Sequence, residues 1–174
     1  MNRVIDYAKS NGLKVVLDND IISSFVDNSV TDEDVYNYLD ALNVSNEKGE
    51  AMGMRDYQRD AVKTIIKRKR RLISSATSSG KSLVVYGACR YLIDVVFEKK
   101  DQVLVVVPTI SLIKQMKGDM IDYSRLNGWA AYDLVTEYGG GKKNATGRVV
   151  VATYQSLYRK PPIVTGKQIG RAHV

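Results

Sequence analysis

The stretch Ser75-Ala76-Thr77-Ser78-Ser79-Gly80-Lys81-Ser82 decides the fold. A short apolar pair, Leu72-Ile73, precedes it, and a helix-patterned segment opens near Gly80. A strand, a loop of small residues and a helix N-terminus together make a cradle for phosphate, with the loop amides turned inward. Lys81 has the reach for the β- and γ-phosphates of a nucleotide, and the Ser82 hydroxyl can join a magnesium ion. The general pattern is G-x-x-x-x-G-K-[ST], and Ser75 stands where its first glycine would be. Ser75 to Ser82 are therefore the expected nucleotide-binding residues, with Lys81 and Ser82 acting on the phosphates.

The rest of the chain bears on that expectation. Its 174 residues are 44% apolar and 26% charged. That suffices for one ordinary domain, or one domain with a small appendage. No apolar run reaches the length of a membrane span, and the N-terminus lacks a signal-peptide layout. A soluble, cytoplasmic protein without a membrane partner is expected. A single cysteine, Cys89, excludes an internal disulfide framework and cysteine-based metal clusters. It is expected as a small buried residue on a helix. Charge divides the chain: residues 1–50 hold 4 Lys/Arg against 10 Asp/Glu, and residues 51–174 hold 22 against 9. An acidic front and a basic body suggest two units, the second with a polyanionic partner.

Residues 1–43 read as a small acidic α+β unit. Asn2–Ser10 has helical spacing and stops at Asn11-Gly12, and Lys14–Leu17 is strand-like. Thr31-Asp32-Glu33-Asp34 has the form of a capped helix start, with Val35, Leu39 and Leu42 on one face. So small a unit must lean on the next domain. Residues 44–53 read as a linker. A helix is expected over Met54–Lys69, and another from Gly80 to about Phe97. Val103–Val107 is a β-branched run suited to a parallel strand covered on both faces. With Leu72-Ile73 and the helix between, it would form a βαβ unit. A helix from Ser111 to about Arg125 should follow, then strands at Leu134–Tyr138 and Arg148–Ala152, with a flexible basic loop at Gly139–Lys143.

Three further sites fall where an ATP-driven nucleic-acid motor would need them. Gln58 lies upstream of the cradle, and its amide can make the paired contact that adenine offers at N6 and N7. Arg55, three residues earlier, can assist by stacking or hydrogen bonding. Pro108, Thr109 and Ser111 sit at the C-terminal end of a strand, where open α/β sheets bind ligands. Gly140, Gly141, Lys142 and Lys143, with Thr153 and Gln155, form the third site. Glycine amides and small hydroxyls suit backbone phosphates, and the lysines add a charge-driven affinity. Taken singly, each is also an ordinary surface or cap residue; their order and spacing point to function.

Arg55-x-Tyr57-Gln58, Ala76 to Ser82, Pro108-Thr109-x-x-Leu112-x-x-Gln115 and Thr153-Tyr154-Gln155-Ser156-Leu157 together resemble the first half of a superfamily 2 helicase. In order they are similar to its adenine-reading glutamine motif and its motifs I, Ia and Ic. Within that superfamily the chain most resembles the phage recombination and branch-migration helicases. The resemblance implies an α/β fold: a RecA-like P-loop parallel sheet with flanking helices, incomplete, over residues 54–160. Residues 1–43 would be the remnant of an accessory DNA-binding domain. It also implies ATP and Mg2+ as cofactors, with Ser82 as the metal ligand, and branched or duplex DNA as the track. A phage-encoded protein would work in the bacterial cytoplasm.

Such a motor also needs an acidic motif that holds magnesium and activates water, and a second RecA-like half that supplies arginine fingers. No Asp or Glu follows Glu137. The expectation is a fragment without ATP turnover. Residues 161–174 are expected to be a non-native tail. Ile169 to Val174 can be encoded by a widely used sequencing-adapter string, which would make the sole histidine, His173, an artefact; a natural basic tail is the alternative. Two other functions share parts of the pattern: a restriction-enzyme or chromatin-type superfamily 2 translocase, and a non-motor P-loop protein or kinase. The last offers no reason for Gln58, Pro108-Thr109 and Thr153 to be placed as they are.

Overall fold

The computed structural model describes residues 10, 29–68, 71–143 and 145–159. Thr31 caps α1 (Asp32–Asp40) through the reciprocal box that its sequence predicts: its hydroxyl accepts from the Asp34 amide, and the Asp34 carboxylate accepts from the Thr31 amide. Helix α2 (Asp56–Lys67) follows, then α3 (Lys81–Tyr91), which continues into a π-helical turn at Leu92–Val96. Strand β1 (Val103–Val107) leads to α4 (Ile110–Tyr123), a short α5 (Ala131–Leu134) and β2 (Val135–Gly139). A two-residue β3 (Lys142–Lys143), β4 (Val149–Thr153) and α6 (Tyr154–Arg159) complete the described chain.

The strand order is β1-β4-β2-β3. β4 pairs in parallel with β1 and with β2, and only β3 runs antiparallel. Central β4 is buried at every position, as a parallel strand flanked on both sides should be. Its side chains alternate between the two faces. Val149 and Val151 join the main core with Val105, Val107 and Val135, over which α4 lays Ile113 and Met120. Val150 and Ala152 meet Tyr138, Leu104 and Leu157 on the other face.

The N-terminal unit does lean on the rest. Val35, Leu39, Leu42 and Val44 share the main core with Val62, Leu83 and Tyr86. Around this contact, acidic residues of α1 meet basic residues of α2: Asp40 with Arg59, and Asp32 with Lys63 and Lys67. Such partly exposed pairs add about 0–1 kcal/mol each, so they set register more than they hold the joint. Residues 44–53 form a hydrogen-bonded turn there. Ser45 is fully buried and bonds the backbone of Tyr123 and Asp122.

Three expectations need correction. Leu72-Ile73 forms no strand: residues 71–76 join no ladder, and Leu72 is 83% exposed. A strand exists through its ladder, and no described strand lies beside this segment. The expected βαβ unit therefore lacks its first paired strand. Gly139–Lys143 is a hairpin, with Tyr138 opposite Lys143 and Gly139 opposite Lys142. Glycines 139, 140 and 141 all have positive φ, which closes the turn. Neither α5 nor the π-helical turn is signalled by any local pattern. The helix expected at Asn2–Ser10 (Ser10 excepted), the strand at Lys14–Leu17 and the tail 161–174 lie outside the described residues.

Candidate functional site

The loop before α3 is closed on itself. Gly80 (φ 77°) caps the helix in the left-handed region, and Ser78 (φ 62°) shares that conformation. A side chain at Gly80 would also collide: its Cβ would lie 2.3 Å from Gln58 Nε2. For Ser78 the positive φ is a local strain of the kind held at ligand sites. Lys81 Nζ reaches back over the loop and donates to the carbonyls of Ser75 (3.0 Å) and Ala76 (2.8 Å). The hydroxyls of Ser75 and Ser79 touch each other. The first hydrogen bonds of α3 run from the Leu83 and Val84 amides to the Gly80 carbonyl (3.0 and 3.3 Å), and the amides of a helix's first turn that precede such bonds are where anions bind.

Gln58 joins this loop directly. It is 5% exposed. Its Oε1 accepts from the Arg55 amide (2.9 Å), the reach-back of a capping box, and its Nε2 donates to the Ser79 carbonyl (2.9 Å). These two partners settle which end of the amide is oxygen. Tyr57, quoted in the motif but given no role of its own from sequence, also donates to Ser79 O (3.1 Å) and accepts from the Arg55 guanidinium (3.3 Å). Only its place between Arg55 and Gln58 could have marked it.

Ser82 is partly exposed at the start of α3. Its hydroxyl lies 2.9 Å from the Tyr123 hydroxyl. Burial raises the Asp119 carboxyl above its usual range, partly offset by a hydrogen bond from Ser82. Burial likewise raises the Tyr123 phenol.

A second cluster gathers at the C-terminal ends of the parallel strands. Thr109 caps α4, accepting from the Leu112 amide (3.3 Å), and its hydroxyl meets that of Ser111 (2.9 Å). Ile110 lies over Gly140, where a Cβ would come within 3.0 Å of it. A Cβ on Gly139 would meet Ile113 and the Ser156 hydroxyl, both at 3.0 Å. The hairpin thus rests on the first turn of α4 and on α6. Tyr138, Gly139–Gly141, Lys142, Lys143 and Ser156 line a cavity of about 290 Å³. Pro108, Thr109, Ser111, Gly140, Gly141, Lys143 and Gln155 are exposed here. Lys142 is exposed too, and pairs with Glu137 (2.7 Å). Thr153 is turned inward: it is 3% exposed, and its hydroxyl caps α6 by accepting from the Ser156 amide.

The part of the chain that carries these residues matches a known family profile. The profile described as "Type III restriction enzyme, res subunit" matches residues 51–169. The chain belongs to that family. It is 32% identical over 110 residues to the ATP-dependent DNA helicase uvsW of Enterobacteria phage T4, covering 60% of this chain and 20% of the relative. It is 36% identical over 107 residues to the DNA 3'-5' translocase XPB2 of Sulfurisphaera tokodaii, covering 62% and 21%. The chain thus spans about a fifth of these curated relatives' length. Two crystal structures of phage T4 UvsW superpose with TM-scores of 0.74 and 0.75, each at 25% identity over 92% of this chain, and over 31% and 55% of theirs. The RecA-like architecture expected from sequence is therefore present, as a partial, mainly parallel sheet. Among the described residues no helix is long and apolar enough to cross a membrane.

Proposed function

We propose that this chain is the nucleotide-binding part of an ATP-dependent DNA helicase or translocase. The Gln58–Ser79 contact carries the proposal, because it joins the adenine-reading side chain to the phosphate loop. With Arg55 N–H and Ser79 C=O satisfied, the Gln58 amide keeps one hydrogen and one lone pair. Adenine offers the complement, an acceptor at N7 and a donor at N6. Guanine presents two acceptors on the same edge and leaves the Gln58 oxygen opposed. Arg55, exposed beside Tyr57, is placed to cover the base.

Phosphate binding follows from charge and backbone geometry. Lys81 exchanges its two carbonyl contacts for phosphate oxygens, and the first amides of α3 complete the cradle. The hydroxyl of Ser82 is a hard oxygen donor, which fits magnesium held chiefly through phosphate and water. A metal held there would neutralise phosphate charge. No group of three or more His, Cys, Asp or Glu able to hold a metal occurs among the described residues.

Thr109, Ser111, Gly140, Gly141, Lys142, Lys143 and Gln155 would track a DNA backbone, with Pro108 setting the entry to α4 and Thr153 shaping the start of α6. Branched DNA, and branch migration in recombination and repair, are the substrate and task that likeness to the phage relative supports, and the bacterial cytoplasm is the matching compartment. Residues 1–43 would then belong to an accessory DNA-binding unit. The res-subunit profile favours one other reading, a restriction-type translocase on linear duplex. Binding of this chain to a four-way junction and to linear duplex of equal length tests the choice: tenfold preference for the junction supports the first, and equal binding supports the second. Competition of ATP against GTP tests the cradle, and equal affinity would contradict the role given to Gln58.

A further inference from the structure

The contact between Ser82 and Tyr123 joins two parts of the fold far apart in sequence. Tyr123 is the last residue of α4, whose first turn carries Ser111 and is capped by Thr109. Its hydroxyl is aimed by its surroundings. The ring packs edge-on against Tyr86, with centroids 5.4 Å apart, and Tyr86 packs in the same way against Trp129. The Tyr86 hydroxyl is occupied by Arg90 and Asn127. The Tyr123 carbonyl accepts from the Ser45 amide (3.3 Å) and from Asn127 Nδ2 (3.2 Å). Ring and backbone are both clamped, so the phenol oxygen has one place to go: the Ser82 hydroxyl.

A serine hydroxyl has one hydrogen and two lone pairs. If Tyr123 donates to it, a lone pair remains on the side away from the phenol. We propose that Tyr123 is a positioning residue for Ser82, holding its hydroxyl so that this lone pair is free for the magnesium ion of a bound nucleotide. The inference rests on the cradle reading above. Groups that orient a metal ligand typically matter about 10- to 100-fold in metal affinity.

The test is an amide-resolved NMR titration of the whole chain with ATP, in EDTA and over a magnesium series, which tolerates weak binding. Tyr123→Phe keeps the ring against Tyr86 and removes only the hydroxyl. It should raise the magnesium concentration for half-saturation about tenfold. Metal-free ATP binding should change far less. In a Ser82→Ala background Tyr123→Phe should have no further effect. An unchanged magnesium requirement in Tyr123→Phe overturns the proposal. So does an equal loss of ATP binding with and without metal, which is the mark of packing alone. The cradle reading fails separately: if Ser82→Ala leaves magnesium dependence intact, or the parent chain does not bind ATP, both readings fall regardless of Tyr123.

Discussion

The side-chain amide of Gln58 donates to the carbonyl of Ser79 across 2.9 Å, beside a second donor to the same carbonyl from Tyr57. One residue thus caps α2 and braces the loop before α3, and on the proposed reading it also offers its spare hydrogen-bonding groups to a base. Gln58→Ala should remove all three. It should cost about 1–2 kcal/mol in urea denaturation, through a lost cap and a carbonyl deprived of one partner. It should also erase any preference for ATP over GTP in competition binding. Gln58→Glu should keep the Arg55 cap yet lose the Ser79 contact, so base preference should fall more than stability.

Gly80 is required twice, by its positive φ and by the 2.3 Å approach of Gln58. Gly80→Ala should cost at least about 1 kcal/mol for the left-handed conformation alone. The collision should also expel Gln58 from the loop. Thermal denaturation and nucleotide titration should both register it. Gly141 provides the contrast: it has positive φ, but a Cβ there would have no heavy atom within 4 Å, so Gly141→Ala carries only the backbone penalty.

What could be read from sequence was whatever local pattern determines. The β-branched run 103–107 is β1 to the residue, the Thr31–Asp34 box caps α1, and Cys89 is buried. The start of α3 at Gly80-Lys81 was legible because a glycine there permits the left-handed turn that opens the helix. Leu72-Ile73 misled because apolar character does not supply a neighbouring strand. The Tyr123–Ser82 contact was invisible: it spans 41 positions and depends on how α3 packs on α4. The inward turn of Thr153 was hidden for a similar reason, since the same residue type caps helices and contacts phosphates.

At the strand ends, charge should act without regard to base sequence. Lys143→Ala should weaken DNA binding similarly across sequences and lower the slope of log affinity against log salt by about 1. Lys142 is paired with Glu137, so Lys142→Ala should lower affinity less, because the neighbouring carboxylate already offsets part of its charge. Binding isotherms at several salt concentrations check both.

Burial pushes the Cys89 thiol up to about 12. Burial also raises the phenols of Tyr38 and Tyr86, and a hydrogen bond to Asp94 raises Tyr38 further. In the unfolded chain a thiol ionises near about pH 8.5 and a phenol near about pH 10. Above those values the unfolded state releases protons that the folded state keeps, so stability must fall as pH rises from about 9 towards about 12. Urea midpoints should decline over that range, and Cys89→Ala should make the decline shallower. Thiol reagents at neutral pH should modify Cys89 only at the rate of unfolding.

The central claim is that Ser75–Ser82 binds nucleotide phosphate through Lys81. The most direct measurement is an ATP titration of the parent chain and of Lys81→Ala, followed at the backbone amides of residues 78–82. Saturable shifts are predicted at those amides in the parent and their loss in Lys81→Ala, with DNA binding retained by both. Equal ATP shifts in the two proteins, or none in the parent, would contradict it.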